Sequence, residues 1–192
     1  MEETIRDIKK ELRANMNGIA SAQMRRAGMP HHVVWGIELP RLRDIAAEFP
    51  SDRKLGQRLW NENVRESRLL GILLTPPEDF LPEVADIWVH EAATPETASL
   101  LAMELIVPQT WATNMAFHWI AGTDNLAALC GWLTICRLLQ NGGTLMPRSE
   151  AELRDHATAV PENAPLYLRK AVLRTMEAIT ASSNYADNTA TE

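Results

Sequence analysis

Cysteine is nearly absent from this sequence: two residues in 192 leave no disulfide framework to hold the fold. Cys130 and Cys136 are six apart, roughly 240° around a helix, so they cannot bridge or share a metal within one helix. Such sparse cysteine suits a reducing compartment, and a cytoplasmic location is expected. Long apolar runs are missing too. The longest, around Ala127–Cys136, is interrupted by Gly131 and Thr134, well short of the roughly 18 residues a membrane span needs. The first residues, MEETIRDIKKEL, are charged and amphipathic and have no signal-peptide core. Common catalytic motifs are absent as well: no glycine-rich phosphate loop, no G-x-S-x-G, no H-E-x-x-H. His31-His32 has no further ligand at metal spacing, and His90 and His118 stand alone on apolar helices. Neither a metal nor a cofactor is expected, and no residue identifies itself as catalytic.

Positive charge is missing from the middle of the chain. Between Arg68 and Arg137 there is no Lys or Arg. Residues 1–74 carry 13 Lys/Arg against 10 Asp/Glu, and residues 75–192 carry 6 against 15, within a net charge of −6. That balance argues against general polyanion binding and confines any anion site to cations from the first third. Arg25-Arg26 and Arg41 with Arg43 flank the segment VVWGIELP, and Arg53, Lys54 and Arg58 follow. Clustered arginines beside a helix start can hold phosphates by charge and by free backbone N–H groups. A solvated helix face would have the same composition.

What the chain has in quantity is helical periodicity, so an all-α protein is predicted. Ile5, Ile8 and Leu12 form one stripe, which Asn17-Gly18 is expected to stop. Pro40 suits a first helical position, Asp52 or Ser51, Thr94 and Asp124 suit helix starts, and Ser149-x-x-Glu152 has the capping-box pattern. His31–Leu39 looks strand-like but has no partner strand. The element Leu39-Pro40-Arg41-Leu42-Arg43-Asp44-Ile45 recurs 42 residues later as Leu81-Pro82-Glu83-Val84-Ala85-Asp86-Ile87. Asp124-Asn125-Leu126 keeps the same phase a further 42 residues on. This period, built of helix pairs, predicts a HEAT-like or armadillo-type α-α superhelix of antiparallel pairs. One domain over residues 1–181 is expected, with a disordered tail over 182–192.

Six tryptophans invite a stacking role. Trp60, Trp88, Trp119 and Trp132 lie on apolar helical stripes and are expected in the core. Trp111, near a helix start among Gln109, Thr110, Thr113 and Asn114, is the candidate exposed aromatic. Glu104 sits in the apolar run LLAMELIV, where it would serve as a desolvated acid or, more simply, as a hydrogen-bond partner between helices.

The residues Met24-Arg25-Arg26, Gly36-Ile37-x-x-Pro40-x-Leu42-Arg43-x-Ile45-Ala46, Leu59-Trp60 and Glu66-x-Arg68 resemble the DNA alkylation repair family, the HEAT-like-repeat alkylpurine DNA glycosylases of bacteria. A weaker match runs from Glu104 to Trp111 and through Asp124-Asn125. The resemblance independently implies a helical superhelix and DNA as substrate. It also implies an aspartate and a neighbouring Trp on the helix after Val107-x-x-x-Trp111. The aspartate stabilises the sugar cation as a methylated base leaves. Here Trp111 matches the first Trp, but Ala112 stands at the second aromatic, Ala116 at the aspartate, Cys130 at a cleft arginine and Arg174 at a later Trp. Whether the chain is an enzyme therefore stays open between three readings. The first is a divergent, non-catalytic or very weakly active member that binds duplex DNA through Arg25, Arg26, Arg41, Arg43, Trp111 and Asn114. The second is an active 3-methyladenine or 7-methylguanine glycosylase with rearranged residues. The third is a helical scaffold for another protein, which the acidic last two-thirds favours. Its oligomeric state is not readable from the sequence.

Overall fold

The computed structural model describes residues 1–189, with side chains to Ser182. Among the described residues there is no strand. The described residues form eleven α-helices, one 3₁₀ turn and one π-helical segment. The chain forms two compact units, Met1–Leu81 and Pro82–Glu192.

The first unit holds α1 (Glu2–Ala14), α2 (Gly18–Arg26), α3 (Leu39–Ala47), α4 (Arg53–Trp60) and α5 (Arg65–Leu73). Ile5, Ile8 and Leu12 bury the predicted stripe of α1. Asn17 does not stop α1, which already ends at Ala14. It opens α2 instead, its side chain accepting from the Ala20 N–H at 3.1 Å, because a short polar side chain serves a helix start as readily as a stop. Asp52 caps α4 as expected, accepting from the Leu55 N–H at 2.8 Å. The strand-like segment makes only one isolated parallel bridge, Val33 to Val64. It runs extended into α3, whose Pro40 is the second helical residue.

The second unit holds α6 (Pro82–Glu91), α7 (Pro95–Leu101), the π segment Ala102–Ile106, α8 (Ala112–Ala121), α9 (Asn125–Gln140), α10 (Pro147–Ala159) and α11 (Leu166–Thr189). Its core runs along α9, where Ala128, Leu129, Trp132, Ile135 and Leu139 pack with Ala116 and Ile120 of α8 and Leu168, Ala171 and Val172 of α11. Thr175 donates its hydroxyl to the Trp132 carbonyl at 3.0 Å, tying α11 to α9. The indole N–H of Trp119 donates to Asp86 at 2.9 Å, tying α8 to α6. Ser149 forms no capping box. Pro147 starts α10 two residues earlier, with its fixed φ and missing N–H already suited to a first turn. Helix α11 continues to Thr189, past the expected tail boundary, and residues 190–192 of that tail lie outside the described residues. Helices begin at Leu39, Pro82, Asn125 and Leu166, close to the predicted period. No described helix is long and apolar enough to cross a membrane.

Candidate nucleic-acid interface

In the first unit the segment between α2 and α3 is shaped by one carboxylate. Glu66, in the first turn of α5, is fully buried. Its Oε2 accepts from the Trp35 N–H at 3.0 Å, and its Oε1 from the N–H groups of Gly36 at 2.9 Å and Ile37 at 3.3 Å. The buried Arg65 guanidinium donates to the same Oε1 and to the Ile37 carbonyl, both at 2.8 Å. Backbone donors and an adjacent cation thus replace the water lost by the carboxylate. Gly36 is needed at the centre of this loop. Its φ is +76°, and a side chain there would collide with the Asn17 carbonyl and meet the Ser21 N–H at 2.5 Å. The latch therefore also sets α2, through Asn17 N–H to the Trp35 carbonyl at 3.0 Å and Ser21 hydroxyl to the Val34 carbonyl at 2.7 Å.

The predicted arginines lie around this latch with different duties. Arg25 and Arg26 are exposed in the last turn of α2, where cations suit the helix dipole. Arg41 is half-buried and committed, donating from Nε to Asn15 at 2.8 Å and pairing with Asp44 at 3.6 Å. It stitches α3 to the end of α1. Arg43 is exposed on α3. Arg68 lies over the Trp60 ring at 5.1 Å and donates to the Glu62 carbonyl at 3.3 Å. Gly36, Glu66 and Arg68, three residues that make the sequence recognisable, are therefore scaffold.

In the second unit Trp60's counterparts Trp88, Trp119 and Trp132 are buried, as their stripes imply. Trp111 is half-buried at the N-cap of α8, and Asn114 is exposed one turn on. Glu104 is half-buried in the π segment. Ala112, Ala116 and Cys130, at three positions where the resemblance implies cleft residues, are all buried. The Ala116 carbonyl would lie 2.6 Å from a Cβ added at Gly131. The α8 backbone at position 116 thus lies against α9, and Ala116 belongs to the buried core of the unit. Burial pushes the Cys130 thiol far above the ordinary range, and the Cys136 thiol also upward despite a hydrogen bond with Thr175. Neither is an activated nucleophile. No three His, Cys, Asp or Glu side chains come together as metal ligands among the described residues.

A model of the family described as DNA alkylation repair enzyme matches residues 8–172. The chain belongs to this family. One solved structure similar to this DNA alkylation repair family member is described as "a new family of proteins related to the HEAT-like repeat DNA glycosylases with affinity for branched DNA structures". It covers 96% of this chain and 79% of its own, with a TM-score of 0.79 at 17% identity. That similarity makes the fold HEAT-like. No curated protein matches the sequence.

Sequence reasoning missed the latch, whose partners are about thirty residues apart. Arg53, Lys54 and Arg58, already grouped in the sequence, line a groove on α4.

Proposed function

We propose that this DNA alkylation repair family member binds DNA without excising bases. The observation that carries the proposal is the core position of Ala116. At the place implied for the catalytic aspartate stands a fully buried alanine, whose backbone carbonyl lies against Gly131 of α9. No Asp or Glu lies between Glu104 and Asp124 to replace it. Loss of a cationic base leaves positive charge on the sugar, and a methyl group offers that charge nothing. Arg25, Arg26, Arg43, Asn114 and Trp111 are the phosphate- and base-contacting groups of this reading. Affinity for branched DNA in the similar solved structure supports DNA as the ligand and makes a branched substrate the first to try.

The test is fluorescence anisotropy with a linear duplex and a four-way junction across a salt series, beside release of 3-methyladenine and 7-methylguanine. Binding should weaken steeply with salt, and Arg25→Ala with Arg26→Ala should flatten the log–log slope by about one unit or more. Release should not exceed spontaneous loss. Base release by the wild type refutes the non-catalytic part. Absence of binding to either DNA refutes the rest and leaves a protein scaffold.

A further inference from the structure

The first unit contains a second basic surface, separate from the arginines around the latch. Arg53, Lys54, Gln57, Arg58 and Asn61 lie along one exposed face of α4 and its C-cap. With Met1 they line a groove of about 540 Å³. Among the described residues, none of Arg25, Arg26, Arg41 or Arg43 lines it, and neither does any carboxylate. The opposite face of α4, with Leu55, Leu59 and Trp60, is buried.

The charges of this face oppose helix stability in two ways. Arg53 and Lys54 occupy the first turn, at the positive end of the helix dipole, where no acidic residue follows the cap. Lys54 and Arg58 are four apart, the spacing at which like charges repel. Elsewhere the chain uses that spacing for attraction, as in Arg154 with Glu150 at 2.6 Å. The nearby carboxylates are already engaged: Glu62 pairs with Lys9 at 2.7 Å, and Asp52 caps the Leu55 N–H. Gln57 donates its amide to Asn61 at 3.0 Å, leaving the Asn61 amide NH₂ as a further donor. An anion with several negative oxygens would relieve both conflicts at once. Lys54 and Arg58, four apart on one stripe, are about 6 Å apart along the axis, a reach suited to two linked phosphates rather than one carboxylate.

We propose that this face of α4 is a phosphate-binding site for linked phosphates, supplied by a nucleic-acid strand or by a free oligophosphate. The site does not depend on DNA binding by the latch-side arginines. Its test is titration of the full chain with inorganic tripolyphosphate, read by backbone amide NMR shifts and calorimetry. Shifts should cluster at residues 53–61 and weaken with salt. Arg53→Ala with Arg58→Ala should cut affinity at least tenfold, while Arg53→Lys with Arg58→Lys should retain most of it. All four are exposed-surface changes, and an unchanged melting temperature checks the fold.

DNA distinguishes the two sources. If a strand occupies the groove, the double alanine variant loses about two units of salt slope on duplex or junction. If the DNA slope is unchanged, or the wild type binds no DNA, while tripolyphosphate binding falls, the ligand is a free oligophosphate. In that second case the proposed DNA function fails and the α4 site stands. Tripolyphosphate that leaves residues 53–61 unshifted, or binds the double alanine variant as tightly as the wild type, overturns the site.

Discussion

Restoring the missing carboxylate by Ala116→Asp should damage the protein rather than activate it. Position 116 is fully buried, and the α8 backbone lies against the bare Cα of Gly131. Two costs add there. Extra atoms in a close-packed helix contact cost about 1–3 kcal/mol. A carboxyl that must stay protonated in the core at pH 7, against an unfolded value of about 3.9, costs about 4 kcal/mol more. The total of about 5–7 kcal/mol is a large share of a domain stability of about 5–15 kcal/mol. The pH dependence identifies the electrostatic part. Above pH 4 the unfolded carboxyl ionises while the folded one keeps its proton, so the unfolded state binds fewer protons and stability falls as pH rises. Lowering the pH from 7 to 5 should therefore return about 2.7 kcal/mol. Urea unfolding of wild type, Ala116→Asp and Ala116→Asn at both pH values measures this directly. The asparagine variant should show the packing and polar cost without the pH dependence. An aspartate variant as stable as wild type, or one with a pH-independent deficit, refutes the core placement. Base release by a natively stable aspartate variant would also refute it.

Three further outcomes follow from the packing. Glu66→Gln should cost about 3–5 kcal/mol in urea unfolding, because it removes the carboxylate paired with the buried Arg65 charge at 2.8 Å. Arg65→Met should cost less, since Glu66 keeps three backbone donors. Gly36→Ala should cost about 2–5 kcal/mol, combining the left-handed backbone penalty with collision against α2. Amide shifts should spread through residues 17–26. Cys130 should resist a thiol reagent at pH 8 in the native protein and react only at the unfolding rate, since it is buried and its thiol is held protonated. Rapid native labelling of Cys130 would contradict that burial.

Helix positions were legible where a residue has one strong local preference. Asp52, Thr94 and Asp124 all cap the helices that follow them. Asn17 opens α2 rather than stopping α1: asparagine suits both ends of a helix, and only the contact with residues 34–36 decides between them. The four core tryptophans followed from their stripes. The Glu66 latch did not, since a carboxylate whose partners lie about thirty residues upstream leaves no periodic trace. Alanine is equally uninformative: at 112 and 116 it fits a cleft stripped of its chemistry and a tight helix crossing alike, and only the structure shows the Ala116 carbonyl against Gly131 of α9.

Helix α2 has no fully buried residue. Ile19 is 76% exposed, and the helix is held by its contacts with residues 34–36 rather than by a core stripe. Opening it would expose little apolar surface, so it should be among the first parts of the chain to exchange amide hydrogens, well before α5 or α9. A ligand held by Arg25 and Arg26 would have to immobilise this loosely anchored element, giving up part of its contact energy to restrain it. Amide exchange in residues 18–26 should then slow when DNA is present, with the protection fading as salt releases the DNA.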